Sequence, residues 1–584
     1  MNKSDKSNNG VLGIIILVAV ILFGILYFKD IIPKEEAIKT QETSLEEWNI
    51  DSSSMNGIPI REDKSIYSNA PNTNIHDVYI SVFPTKALDG EIIDFSAFGM
   101  HASRDHTYNP ELNCNVQILK EGETLDPLTA LDSKNATIRV RGNSSRGDTY
   151  KSYKVKLDDE AKSFFGQRNL NINKHSEDIT KIATKLQTDL LASVDNIISY
   201  RTYFMRVWIR DTSVPKDKQE FKYYGLYTEI EQPNKTYLEA RGLSSNASMY
   251  KARDFSFEKS DVLKDVEDPN YNKEAFETVL TIREANSHKQ LLEMLKAVND
   301  ESRDFGEVFK KYFNEDNYLT WLAFNLLMGN NDTINHNFII YNPDNSNTWY
   351  FVPWDFDGTL RFGDHESSLM KLPPSLKGIQ KLNQSILHRR YFKLEGSIEK
   401  IKDKMDELLK YQITREKVTE LVNSYKPVLE KTITQYPDIG LLDEMNPKEY
   451  SQYLDKLYDG ILTNYEAFKE AIKYPSPMYI AQPQQNGDSV VLSWEPAYSY
   501  EGLPVTYNVQ IFNDYNMESK VLEEKNIAET KYTLNNKLAP GTYYLRVTAL
   551  DSMGREQLSM ERFETMITEV KGYNVNGLLE IKIK

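Results

Sequence analysis

Cysteine is almost absent. Cys114 is the one thiol in 584 residues, so no disulfide can form within the chain and a cysteine-built zinc site is excluded. Clustered positive charge is missing too: 70 Lys and Arg face 86 Asp and Glu, a net charge of −16 at pH 7, with no Lys/Arg-rich block. That argues against a nucleic-acid surface, whose phosphate contacts need such a block, and leaves basic or neutral partners. Long hydrophobic runs occur in one place, residues 11–28, which carry no charge and are just long enough to cross a bilayer. Lys3 and Lys6 precede the run, and Lys29-Asp30 follows without small residues at cleavage spacing. A single-pass membrane anchor behind a ten-residue arm is therefore expected in preference to a cleaved leader, with residues 29–584 beyond the cell membrane.

A chain of this length holds several folding units. Residues 29–74 are acidic and rich in Ser, Asn and Pro without a sustained period, and they are expected to be a spacer. From His76 to about Met205 short alternating segments dominate, among them Val78–Phe83, Val116–Leu119 and Ala136–Arg141, which predicts strands. The helical spacing of Ile179, Ile182, Ala183, Leu186, Leu190 and Leu191 predicts one helix over Glu177–Val194,. Strands return at Tyr203–Ile209 and Tyr223–Ile230; beyond Asn234 helical patterns take over. A β-rich part, 75–232, thus precedes an α-rich part, 233–472.

The chemistry concentrates in Asn331-Asp332-Thr333-Ile334-Asn335-His336-Asn337 and, after a short gap, Trp354-Asp355-Phe356-Asp357-Gly358. An Asp followed five positions on by Asn, and then by an Asp-Phe-Asp turn, is the order of groups that phosphoryl-transfer sites need. Asp332 would take the proton of an acceptor hydroxyl, and Asn337 and Asp355 would hold metal ions. Asp357 is either a further metal ligand or a cap for the next turn. Phe338–Tyr341 and Trp349–Pro353 flank a turn-rich Asn342–Asn347, which predicts a hairpin that brings Asn337 and Asp355 together. His336 lies inside this loop with either a phosphate contact or a structural hydrogen bond open to it. His101 and His106 are expected to sit on a surface loop, having no further ligand in their segment.

Upstream, Arg141-Gly142-Asn143-Ser144-Ser145-Arg146-Gly147 joins two predicted strands and is followed by Lys151-Ser152-Tyr153-Lys154-Val155-Lys156-Leu157. A Gly/Ser turn can bring backbone N–H groups, with Arg141, Asn143 and Ser144, up to a phosphate, and a following Lys can neutralise it. Lys154 and Lys156 share one strand face by the period of two, while Lys151 shares the other with Tyr153.

Together Arg141–Arg146, Lys151-Ser152-Tyr153, Gly225-Leu226-Tyr227-Thr228-Glu229, Asn331-Asp332 with His336-Asn337, and Pro353–Asp357 resemble the spore-coat protein H (CotH) kinase-like family over about residues 75–470. The resemblance implies an α+β, bilobal, atypical protein-kinase-like domain. It further implies Asp332 as catalytic Asp, Asn337 and Asp355 as metal ligands, and Lys151 as a basic residue near the phosphates. The expected activity is transfer of the terminal phosphoryl group of ATP, with Mg2+ or Mn2+, to a protein Ser/Thr or another cell-envelope acceptor. The alternatives are a catalytically silent surface or coat assembly protein with a structural cation, and metal-dependent phosphate-ester hydrolysis. Residues 475–570, with strands around Trp494, Tyr507–Ile511 and Tyr543–Ala549, resemble an all-β fibronectin type III-like sandwich in which Trp494 packs the core and Tyr543 forms a corner.

Overall fold

Strand alternation decides the architecture of the first half. The computed structural model describes residues 57–583 apart from 70–73, 88–89, 101–107, 127–128, 143, 363–371, 488, 535–537 and 569–570. These belong to one compact unit, Asn56–Lys584; the other unit, Met1–Met55, lies outside the described residues. Seven strands close a barrel: β1 (Ile75–Val82), β2 (Leu112–Lys120), β3 (Ala136–Arg141), β4 (Ser152–Leu157), β5 (Asn169–Asn173), β6 (Thr202–Asp211) and β7 (Lys222–Glu231), in the order β1-β2-β3-β4-β5-β7-β6. Alternate side chains, Val78, Ile80, Ile138, Val140, Val155 and Ile172 among them, fill its interior,. Cys114 is buried there as well, a core residue whose thiol burial pushes far above its usual range.

Closure corrects the expected fold. The protein is mixed α/β with a closed seven-stranded barrel rather than an α+β bilobal kinase-like domain set between a transmembrane helix and a fibronectin type III-like sandwich. The physical reason is that β1 leaves no free edge: it pairs antiparallel with β2 and parallel with β6, Ile75 opposite Phe204 through Val82 opposite Asp211. Arg206 seals that seam by donating from Nε to Asp77 Oδ1 at 2.7 Å. The expected anchor over 11–28 falls outside the described residues, and among those described no helix is long and apolar enough to cross a membrane. The transmembrane element, and the cell-membrane location drawn from it, find no counterpart among the described helices.

Helix α1 (Ala183–Leu191) starts later than its apolar spacing predicts. Asp178 Oδ1 accepts from Thr180 N at 2.8 Å and its Oδ2 from Ala183 N at 3.0 Å, so its carboxylate organises a loop up to the first turn. Residues 57–69, read as spacer, are tied down: Ile60 N donates to Asn196 Oδ1 at 2.8 Å, and Glu62 lies 3.3 Å from the buried Arg241, which also binds Glu231 at 2.5 Å.

A second sheet, β8 (Ala247–Ala252), β9 (Leu280–Glu284), β10 (Phe338–Pro343) and β11 (Tyr350–Pro353), runs in the order β9-β8-β10-β11. Against it lies α2 (Glu315–Met328), buried on nearly every side, capped by Asn314 at its start and by left-handed Gly329 (φ 67°) at its end,. Asn317 fixes the helix to the hairpin, accepting from Phe351 N at 2.6 Å and donating to Phe351 O at 3.1 Å. Helices α3 (Ser397–Tyr411) and α4 (Leu457–Ala471) belong to the same apolar core.

Beyond Pro475 the chain forms a three-stranded and a five-stranded sheet around Trp494, Tyr507, Val509 and Val547. Tyr543 donates its hydroxyl to Ala539 O at 2.9 Å. This part is fastened to the helical region, with Tyr500 accepting from Asn383 at 3.0 Å and donating to Gln380 at 3.2 Å, and Gln557 donating to Ser375 O at 2.7 Å.

The barrel meets the helical region through a buried ion pair, Lys174 Nζ to Asp438 Oδ1 at 2.7 Å, with both side chains at most 2% exposed. Gly225 (φ 94°) runs against it, and a Cβ there would collide with both charged groups. Lys174→Ala, which strands the Asp438 charge, should therefore cost on the order of 3–5 kcal/mol of unfolding free energy in urea melts. Lys174→Met with Asp438→Leu should cost clearly less; equal losses would mean that the charge pairing is irrelevant. Gly225→Ala should destabilise through both its dihedral and its collision.

Candidate active site

Helix α2 delivers the first acidic group. After Gly329 ends the helix, Asn330 donates to Asn325 Oδ1 at 2.8 Å and accepts from Asp332 N at 3.2 Å, so a chain of amides carries the rigidity of α2 into the loop. Asp332 then receives two donors from its own loop: His336 Nε2 at 2.7 Å on Oδ1 and Asn337 Nδ2 at 2.7 Å on Oδ2. Its side chain remains 58% exposed.

The hairpin delivers the second. Phe338 pairs with Pro353, the first residue of β10 against the last of β11, so Asn337 and Trp354-Asp355 stand at the same end of the sheet. Asn337 (φ 58°) and Asp355 (φ 63°) are both left-handed, a conformation that Asn and Asp tolerate better than most residues. Asp357 sits beside Asp355, half-buried, and its carboxyl is pushed well above the usual range first by the Asp355 charge and then by burial. Asp332 acts on Asp357 in the same direction. The loop and the hairpin turn thus bring Asp332, His336, Asn337, Asp355 and Asp357 together.

Arg141 and Lys251 stand near these carboxylates and, with Lys154 and Arg283 next to them, form a group of cations that sequence reasoning largely missed. Arg141, on the outer face of β3, is pulled down to about 10 by burial, opposed by the charges of Asp355 and Asp357. Lys251, opposite Ile339 on β8, is lowered to about 8 by burial while Asp355 opposes the shift, and its ammonium lies 5.3 Å from the Trp354 ring centre. Lys154 falls to about 8, by burial and then by Arg139, Arg283 and Arg141. Arg283 on β9 is lowered mainly by burial, and its Nε lacks a hydrogen-bond partner. The polar alternation of β3 and β4, Arg139, Arg141 and Lys154 against inward Ile138, Val140 and Val155, was a usable signal. Lys251 and Arg283 carried none, since their strands join the site only through tertiary pairing.

The remaining predicted residues lie elsewhere or outside view. Lys151 donates to Arg146 O at 2.8 Å, turned back onto its own turn. Lys156 is exposed on the barrel wall opposite Thr137 and Asn169. Ser144 opens the 3-10 turn Ser144–Gly147, and Asn143 lies outside the described residues. Arg146 is structural, donating to Val140 O at 3.1 Å and Tyr108 O at 3.0 Å. His101 and His106 also lie outside the described residues.

Comparison with known proteins adds an independent line. The family described as CotH kinase protein matches residues 138–467. Inner spore coat protein H of Bacillus subtilis (strain 168) is 23% identical over 336 residues, 56% of this chain and 80% of that protein. Among solved structures, the Helicobacter pylori proinflammatory kinase CtkA is similar at 8% identity and a TM-score of 0.23, over 60% of this chain and 95% of that one. A Fn3-like protein from Clostridium thermocellum is similar at 24% identity and a TM-score of 0.12, over 15% of this chain and 81% of that one.

The hydrogen bond to Asp332, aided by Asp355, raises the His336 ring above its usual 6.5. A raised histidine contributes stability that is complete below 6.5 and is lost as the pH climbs through the higher value. NMR titration of the chelator-treated protein should place the His336 midpoint above 6.5, and Asp332→Asn should bring it down. An unchanged midpoint would show that Asp332 does not hold the imidazolium.

Proposed function

Because the chain belongs to the CotH kinase protein family, we propose that residues 75–472 bind ATP with Mg2+ or Mn2+ and transfer its terminal phosphoryl group to a Ser/Thr hydroxyl of a coat or envelope protein. The observation that carries this reading is the meeting of the Asp332–His336–Asn337 loop with the Asp355/Asp357 pair, opposite Arg141, Lys154, Lys251 and Arg283.

Each side of the cleft has a task. Asp332 is exposed enough to reach an acceptor hydroxyl and takes its proton as the oxygen attacks; His336 and Asn337 hold the carboxylate in place through its two oxygens,. Arg141, Lys154, Lys251 and Arg283 receive the phosphate oxygens and neutralise charge that grows during transfer. Asp355, Asp357 and the Asn337 amide form a hard oxygen donor set, and the repulsion between the two carboxylates favours a cation between them,. Among the described residues no three His, Cys, Asp or Glu side chains gather closely enough to cage a metal alone; Asp355, Asp357 and Asn337 would hold the cation together with the bound nucleotide. The cation, when bound, supplies charge neutralisation at the phosphates. The inner spore coat relative points to coat proteins as the first acceptors to test.

Incubating the full chain with labelled ATP, Mg2+ or Mn2+ and candidate acceptors should transfer label. Asp332→Ala and Asp355→Ala should each lower turnover by on the order of 10²-fold or more. Equal labelling by the wild type and Asp332→Ala would remove Asp332 from the chemistry, and steady phosphate release without any labelled acceptor would replace transfer by hydrolysis.

A further inference from the structure

One end of the barrel is hollow. Where β1 begins and β2 and β4 finish, a cavity of about 390 Å3 is lined by His76, Val116, Ile118, Leu157 and Phe164, with Lys120 and Lys162 at its border. Its size falls within the ordinary range for small-molecule sites, and barrel mouths are favoured places for them. None of these residues belongs to the Asp332/Asp355 cleft.

The position of His76 explains the hollow. Its strand parity is that of Val78, Ile80 and Val82, which fill the barrel core, so the imidazole takes the next inward place toward the barrel end. It is 5% exposed, and its Nδ1 has no hydrogen-bond partner among the described residues. Tyr203, 2% exposed and 5.8 Å from the His76 ring, likewise has an unpartnered hydroxyl. Of the two, His76 lines the cavity, and a buried polar group left unsatisfied beside an unfilled volume is costly unless something else completes it.

The loop over the opening is aromatic and held in place. Phe164 meets His76 edge-on at 5.1 Å. Phe165 is left-handed (φ 47°), 42% exposed and stacked on Tyr203 at 4.7 Å, while Arg201 fastens its carbonyl at 2.9 Å. An apolar body fits between Val116, Ile118, Leu157 and Phe164. The exposed Lys120 and Lys162 at the border supply positive charge in a chain whose net charge is −16. Of the acidic groups that act on His76, Asp77 is paired with Arg206 and Glu123 accepts from Lys120 N at 2.8 Å.

We propose that this barrel end binds a small apolar-bodied monocarboxylate, its body inside the cavity and its carboxylate at the mouth, where His76 stands opposite Lys120 across the β1–β2 pair and Lys162 lines the same cavity. The site is separate from the phosphoryl-transfer cleft and does not rest on that reading.

The test is calorimetric titration of the full chain with octanoate, decanoate and dodecanoate and the matching alcohols. One saturable site is expected, tighter for the acid of best length than for its matching alcohol. Lys120→Ala with Lys162→Ala should weaken the acids about tenfold, a change of ~1.4 kcal/mol, and leave the alcohols unchanged. Ile118→Trp, which fills the cavity, should abolish binding; should that variant fail to fold, the surface lysine variants decide. Absence of saturable heat from every probe would overturn the site, as would undiminished binding in folded Ile118→Trp. Equal affinity of the lysine variants for acids would overturn the carboxylate assignment. Labelling of acceptors from ATP is unaffected in every one of these outcomes, so loss of one assignment leaves the other standing.

Discussion

The pair Lys174 and Asp438 holds the barrel against the helical region, and the geometry of everything between them follows from it. Burying two charges is expensive, and their mutual attraction repays the cost only when every remaining hydrogen-bonding site is used. Here it nearly is. Lys174 also donates to Tyr224 O at 2.8 Å and Leu226 O at 3.2 Å, Asp438 Oδ2 accepts from Leu226 N at 2.9 Å, and the Tyr227 ring lies 4.8 Å from the ammonium. A greasy contact of the same area would hold the parts together but would tolerate sliding. An ion pair with directed bonds to one β7 backbone segment fixes a single register, and with it the direction in which the outer face of β3 and β4 looks.

That direction explains the electrostatics of the cleft. Arg141 and Lys154 from the barrel meet Lys251 and Arg283 from the second sheet, four cations whose ionised forms burial and mutual repulsion disfavour. Across from them Asp355 and Asp357 repel each other strongly enough to hold Asp357 protonated well above its usual range. Both signs are present in excess, yet the pairing between them is long-range, since none of these groups forms a direct salt bridge with one of the opposite set among the described residues. A structural ion-pair network would have closed such gaps. Charges held apart and half-desolvated agree with the proposed reading, in which a ligand of mixed charge would be anionic toward the arginines and lysines and cationic toward the carboxylates.

Legibility in the sequence followed contact range. Asp332, His336 and Asn337 lie within one loop, and the hairpin returns Asp355 to it by local pairing alone, so spacing was enough to bring them together. The barrel could not be read in that way. Its closure depends on Ile75–Val82 lying parallel to Phe204–Asp211, and alternation along either strand is the same whether an edge is paired or free. Lys251 and Arg283 escaped for a related reason, because their strands reach the site only when β8 inserts between β9 and β10. Lys151 is the opposite case. Its place after a Gly/Ser turn suggested a phosphate contact, whereas Arg146 O takes its ammonium and the half-buried outer position belongs to Lys154. The early start assigned to α1 failed because apolar spacing at Ile179 and Ile182 says nothing of the Asp178 carboxylate that bonds Thr180 and Ala183.

Backbone strain completes the account of the acidic cleft. Asn337 and Asp355 are left-handed on either side of one hairpin, where most side chains would clash with their own backbone. The conformation breaks the up-and-down alternation of the strands at the very residues that enter and leave the sheet, so neither side chain follows the face its position would dictate. Asn337 turns to Asp332 Oδ2, and Asp355 turns toward the charges of Asp357, Arg141 and Lys251. Asn and Asp are among the few residues with a side chain that accept this backbone, and they are also the residues that bring oxygen donors at the shortest reach. Glycine would relieve the strain and lose the donor; Glu would keep the donor and suffer the strain. Residue identity at these two positions is therefore fixed twice over, by the dihedral that aims the group and by the atoms being aimed.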